Sequence, residues 1–203
     1  MIVESYQEAK NKFLSGDYSV GSFFYQNDYI LEYAYCELLL GNIKTAEIEF
    51  TKIANHDFRA DWAKTIIQFI KGYVLHVPSY FQIRNFLEID LNLLINAGQP
   101  EFVENIINGA DLFYSINLES YKFIARVMLF NDFVDIALYY LNKAKDKFYY
   151  DPEMHFMLAN CYIKKGEKDL AKKSILDCLT ILPEYFPAKM LLNNLTWVLP
   201  KSP

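Results

Sequence analysis

The chain has 203 residues, 53% of them apolar and 17% aromatic, with a formal net charge of −5 at pH 7. That composition excludes disorder and provides the apolar surface of one domain or two. Basic against acidic residues run 8 to 15 over 1–117 and 12 to 10 over 118–203, which leaves no block of cations of the kind nucleic-acid binding draws on. No run of eighteen apolar residues occurs, so neither a spanning helix nor a membrane partner is expected. The opening "MIVESYQEAK" has no basic or apolar leader pattern, so a cytoplasmic protein is the expectation.

Every apolar period is helical and none alternates, so an all-α fold is expected. "YQEAKNKFLSGDYSVGSFF", with Ala9, Gly16 and Gly21, reads as a degenerate helix pair. A second pair starts at Asn27, with Ala34, Gly41, Ala46, Phe50 and Ile53 at its key positions. "FRADWAKTIIQFIKGYVLHVPSY" predicts an unpaired helix over 58–76 that ends near Val77, because Pro78 disfavours helix at the residue before it. From residue 84 a phase of 34 takes over. Leu87, Leu91 and Leu94 form a first helix, Gly98 the turn, and Val103, Ile107 and Ala110 a second. One period on, Tyr121, Ile124, Ala125 and Met128 precede Ala137, Leu141 and Ala144. The next unit, "PEMHFMLANCYIKKGEKDLAKKSILDCLTILP", carries His155, Leu158, Ala159, Tyr162, Gly166, Ala171, Ile175, Cys178 and Pro183. Residues 186–199 supply a first helix without its second. The expected organisation is N-terminal pairs over 1–57, an irregular helical junction over 58–83 with a kink around Pro78, an array over 84–199, and a tail over 200–203.

The spacing has a physical basis. Small residues let two antiparallel helices approach, large apolar residues fill around them, and glycine ends the first helix. The pattern resembles the tetratricopeptide repeat, with His155 in place of the first Trp and Ala159 in place of the first Gly. The resemblance implies a right-handed superhelical solenoid of antiparallel helix pairs, with ligands in a concave groove lined by first helices. Carried onto this chain, it makes Asn92, Lys122, Phe123, Arg126, Phe130, Phe156, Met157, Asn160 and Asn194 the candidate peptide-binding residues. Asn92, Arg126, Asn160 and Asn194 share one repeat position. Such a row reads either as amides that pair with a peptide backbone or as local capping and solvent contact. The carboxylate clamp of chaperone-binding members is not expected, because Pro187 and Leu191 occupy positions where it needs cations.

No catalytic constellation, metal set or cofactor motif is found, so a non-enzyme is expected. His56, His76 and His155 have no second ligand at metal spacing, and Cys36, Cys161 and Cys178 read as reduced core residues. Glu47 and Glu49 read as solvated carboxylates, and Lys164, Lys165, Lys168, Lys172 and Lys173, mixed with Glu167 and Asp169, as a solvated face. "NLT" at Asn194 is a glycosylation signal only in a secreted chain. Two function classes stay open: a scaffold, adaptor or chaperone-like module that holds a peptide or helix of a partner protein, and an architectural domain or subunit whose groove is filled internally. The C-terminal helix is apolar around most of its circumference, and Leu191, Leu195 and Val198 are expected to form a homodimer contact or to be covered by a further segment or partner.

Overall fold

In the computed structural model residues 3–145, 147 and 149–197 are described. Among them are thirteen α-helices and a short 3-10 turn, and no strand. The chain gathers into two compact units, residues 1–118 and 119–203. This boundary falls inside the stretch that the 34-residue phase treats as one array.

The first unit holds α1 (Tyr6–Leu14), α2 (Gly21–Gln26), α3 (Ile30–Leu39), α4 (Ile43–Ile53), α5 (Phe58–Ile70), α6 (Tyr80–Asn96), α7 (Pro100–Ile107) and α8 (Ala110–Ile116), with the 3-10 turn at Tyr18–Val20. Local chemistry sets the starts. Asp57 caps α5 by accepting the N–H groups of Arg59 and Ala60 at 2.8 and 2.9 Å, and Ser79 and Gln82 form a capping box on α6. Trp62, Phe69 and Phe113 are buried together, with ring centroids 6.4 Å apart for Trp62–Phe113 and 4.7 Å for Phe69–Phe113.

Two expectations need correction here. The helix predicted over 58–76 stops at Ile70. Gly72 takes a left-handed φ of 77°, and the N–H groups of Gly72 and Tyr73 turn back to the carbonyls of Phe69 and Gln68, so the helix closes well before Pro78. The helix expected to carry Val103, Ile107 and Ala110 is broken into α7 and α8, and Ile106, not Ile107, is fully buried. At the break the Phe69 ring lies against Gly109, where a Cβ would come within 2.3 Å of it.

The second unit holds α9 (Ser120–Phe130), α10 (Val134–Ala144), α11 (Pro152–Lys164), α12 (Lys168–Ile181) and α13 (Phe186–Trp197). α9 pairs with α10 and α11 with α12, α11 also touches α9 and α10, and α13 packs on α12. Ala125, Ala137, Ala159 and Ala171 are fully buried, where the helices of each pair come close. A left-handed residue closes the first helix of each pair: Asp132 at φ 64° and Gly166 at φ 76°. After each, the next N–H bonds the carbonyl five residues back, Phe133 to Met128 at 2.8 Å and Glu167 to Tyr162 at 2.9 Å. Gly98 ends α6 in the same way, so this turn recurs at the spacing of 34 seen in the sequence. At Asp132 the conformation is held by a residue other than glycine.

Candidate functional site

In the second unit the sequence places Lys122 and Arg126 one turn apart on α9, which puts both on one face. That face meets the start of α11. Lys122 is only 4% exposed, and its ammonium is bonded to Asp151, with Glu119 and Glu153 carboxylates each 3.9 Å away. Asp151 is also the N-cap of α11, accepting from the Glu153 N–H at 2.9 Å. Arg126 donates to Glu153 Oε1 at 2.8 Å, and its guanidinium lies 5.9 Å from the Phe123 ring centroid. Further along, Lys164 bonds Asp132, and Lys165 bonds Asp135 at 2.5 Å. The cations of this face are thus matched by carboxylates of the same unit, and the face offers little net charge to a ligand.

The candidate residues take different places. Phe123 and Met157 are buried with Lys122, so a partner would reach at most their edges. Phe130 is 79% exposed, Arg126 and Phe156 are partly exposed, and Asn194 is exposed. Phe156 packs against Tyr185 at 5.4 Å, and both lie on the core cluster of Ala159, Ile175, Cys178 and Ala188. Asn160 donates to the Phe156 carbonyl at 2.8 Å, and Asn92, on α6 of the first unit, donates to the Glu88 carbonyl at 3.1 Å. The amide N–H of these two is therefore engaged within its own helix.

On α13, Leu191, Leu192 and Leu195 are half-buried against that same cluster, while Phe186 is 68% exposed and Met190 48%. The exposed apolar side of α13 is the Phe186–Met190 side, one turn apart, and Leu191 and Leu195 face inward. Val198 lies outside the described residues. Asp151, whose carboxylate neutralises Lys122, is not among the residues that repeat position marks. The signal was an Asp directly before Pro152 at a helix start.

His155 is buried, with Nε2 2.6 Å from the Tyr149 carbonyl, a contact that calls for an N–H on that nitrogen. Burial pushes the Cys36 thiol up to about 12 and those of Cys161 and Cys178 to about 11, so none is a thiolate at neutral pH. Among the described residues no group of three His, Cys, Asp or Glu side chains could hold a metal ion, and no helix is long and apolar enough to cross a membrane.

The first unit has a second constellation, which no repeat position marks in the sequence. Asp90, on α6, is 3% exposed and accepts from Trp62 Nε1 at 2.6 Å, from the Tyr35 hydroxyl at 3.3 Å, and from Arg59. The Arg59 guanidinium lies between two rings, 4.8 Å from the Tyr35 centroid and 4.4 Å from that of Phe86. Its Nη1 is buried with no hydrogen-bond partner among the described residues, which leaves the ring faces to stabilise that side of the cation. Burial pushes the Asp90 carboxyl above its ordinary range, against the pull of Arg59 and the hydrogen bonds from Trp62 and Tyr35. These groups tie α3, α5 and α6 together. Asp90 stands in the apolar run "FLEIDLNLL", where an acid flanked by Ile and Leu was the available signal.

Compared with known protein families, with curated proteins and with solved structures, the chain matches none.

Proposed function

We propose that this protein is a non-catalytic interaction scaffold of tetratricopeptide type, built as a right-handed stack of helix pairs, whose second unit holds a peptide or helix of a partner protein across α9, α11 and α13. The observation that carries the reading is the exposed Phe130, one turn after the charge-balanced Arg126 on α9, together with the partly exposed Phe156 and Asn160 one turn apart on α11. An aromatic 79% exposed on a unit that also offers partly exposed aromatic and amide groups suits a binding hot spot, and internal pairing of the cations favours an apolar partner segment over an acidic one. The turn recurring at Gly98, Asp132 and Gly166 supports the repeat architecture. A second reading, an architectural subunit, is favoured by the exposed Phe186 and Met190 on α13, which would be covered in an assembly.

Site-specific photocrosslinking tests the first reading. A photoreactive residue at 130 is expected to capture a discrete partner, with capture lost on Phe156→Ala or Arg126→Glu. The same group at Leu176 on α12 is expected to capture nothing. Partner capture unchanged by both substitutions would exclude this face as the site.

A further inference from the structure

Between α5 and α6 the chain passes through residues 71–79 without helix, and apart from the buried Pro78 its apolar side chains face water. Tyr73, Val74, Val77, Tyr80 and Phe81 are all exposed, and Leu75 is 75% exposed. The backbone beneath them is nevertheless fixed. The Oε1 of buried Gln68 accepts the N–H groups of Leu75 at 2.8 Å and of His76 at 3.1 Å. Ser79 and Gln82 lock the end of the loop in the capping box, and Gln82 in turn donates to Asp61 at 2.8 Å. A buried amide and a capping box thus hold apolar side chains out in solvent, an arrangement that does nothing for the fold of the isolated unit. It does reduce the ordering cost of an association.

Charge and area identify the occupant. From Trp62 through Leu87 the chain has no acidic residue and carries Lys64, Lys71 and Arg84, whereas the rest of residues 1–117 holds all 15 acids of that half. Three carboxylates from outside the stretch reach it: Glu47, which pairs with Lys71 and lies 3.5 Å from the Tyr73 hydroxyl, Asp61, bonded by Gln82, and Asp90, which is enclosed in the core against Trp62 and Arg59. Two copies of a chain of net charge −5 repel, and they approach most easily where the acids are fewest. The same net charge opposes docking on an anionic bilayer. At about 200 Å² for a whole aromatic side chain and about 100 Å² for an aliphatic one, the six exposed side chains present roughly 450 Å² of apolar surface. Two copies bring together roughly 900 Å², and at an apolar share of about 60% the contact totals roughly 1,500 Å², the size of a standard stable interface.

We propose that the segment Tyr73–Phe81, the loop together with the first residues of α6, is a self-association surface through which two copies of this chain pair about a two-fold axis. The full chain on size exclusion with light scattering is then expected to show twice its 23.8 kDa mass. Leu75→Asp with Val77→Asp is expected to halve that mass and leave the helical circular dichroism unchanged. A Leu75→Cys variant is expected to form an intermolecular disulfide on mild oxidation, since symmetry brings the two loops together, and a Phe186→Cys variant is not. A wild-type chain that stays monomeric at all concentrations overturns the proposal, as does a monomer that sediments with phosphatidylserine–phosphatidylcholine vesicles. A dimer that survives the two aspartates, or that crosslinks at residue 186 and not at 75, overturns it as well.

Discussion

The first unit encloses a carboxylate, Asp90, in its core, and the second encloses a cation, Lys122, whose carboxylate partners stay within reach of water. Asp90 and Arg59 are enclosed by Tyr35, Trp62 and Phe86, whereas Lys122, Arg126, Lys164 and Lys165 join neighbouring elements of the second unit along an edge that carboxylates share. Helix lengths follow the same division. In the first unit they run from 6 to 17 residues and are interrupted by the 71–79 loop and the break at Gly109, while those of the second unit lie between 11 and 14. Regular helix pairs bury small and apolar residues at fixed spacing, which sets their register, and Lys122 adds one buried cation where α9 meets the start of α11. Irregular helices do not repeat a contact, and the buried network is the device that fixes how α3, α5 and α6 meet.

The largest expected effect breaks that network. Asp90→Asn leaves the half-buried Arg59 without its counter-charge and should cost about 3 kcal/mol in urea unfolding, as removal of one partner of a largely buried pair does. It should also change the pH profile. Because the folded-state pKa of Asp90 is raised, the native state binds this proton more readily than the unfolded chain. This group therefore adds stability as pH falls from above the raised value to below the unfolded value near 3.8, and contributes no such gain at neutral pH. The asparagine variant should lack that gain on acidification. In the second unit, Lys122→Met strands Asp151, while Glu153 keeps Arg126, and should cost about 2 kcal/mol, less than Asp90→Asn because Asp151 keeps access to water.

The turns sharpen the comparison at smaller amplitude. Gly166→Ala forces an alanine to φ 76° with no atom near its Cβ, so the loss of about 1 kcal/mol comes from the backbone alone. Asp132→Gly relaxes the same conformation and gives up only a solvent-exposed pair with Lys164, so a gain of about 0.5 kcal/mol is expected. Opposite signs at two positions 34 residues apart would show one turn serving two repeats. Equal signs would separate them.

The sequence was most readable where it repeats. The buried positions Ala125, Ala137, Ala159 and Ala171 and the turn at Gly166 follow from spacing, because close helix approach and a left-handed turn each admit few residue types. The end of α5 at Gly72 was obscured by an apolar run that continues past it into the loop, since periodicity alone does not distinguish an apolar loop from more helix. The break at Gly109 depends on the Phe69 ring forty residues earlier, a contact that no local pattern encodes. At the candidate face, repeat position brought Phe130, Phe156 and Asn160 forward together. It carried no information on burial, which separates Phe123 and Met157 from Phe130. Nor did it show that Asp151 satisfies Lys122 from within, because a salt bridge between elements leaves no period in the sequence.

The most direct test of the proposed binding face is hydrogen exchange read by mass spectrometry on the full chain, with and without the partner segment captured from position 130. Protection is expected over α9 and α11, centred on residues 126–130 and 153–160, with α12 and α5 unchanged. Protection confined to α12, or absent from α9 and α11 while the segment remains bound, would contradict a partner site across the first helices of the second unit.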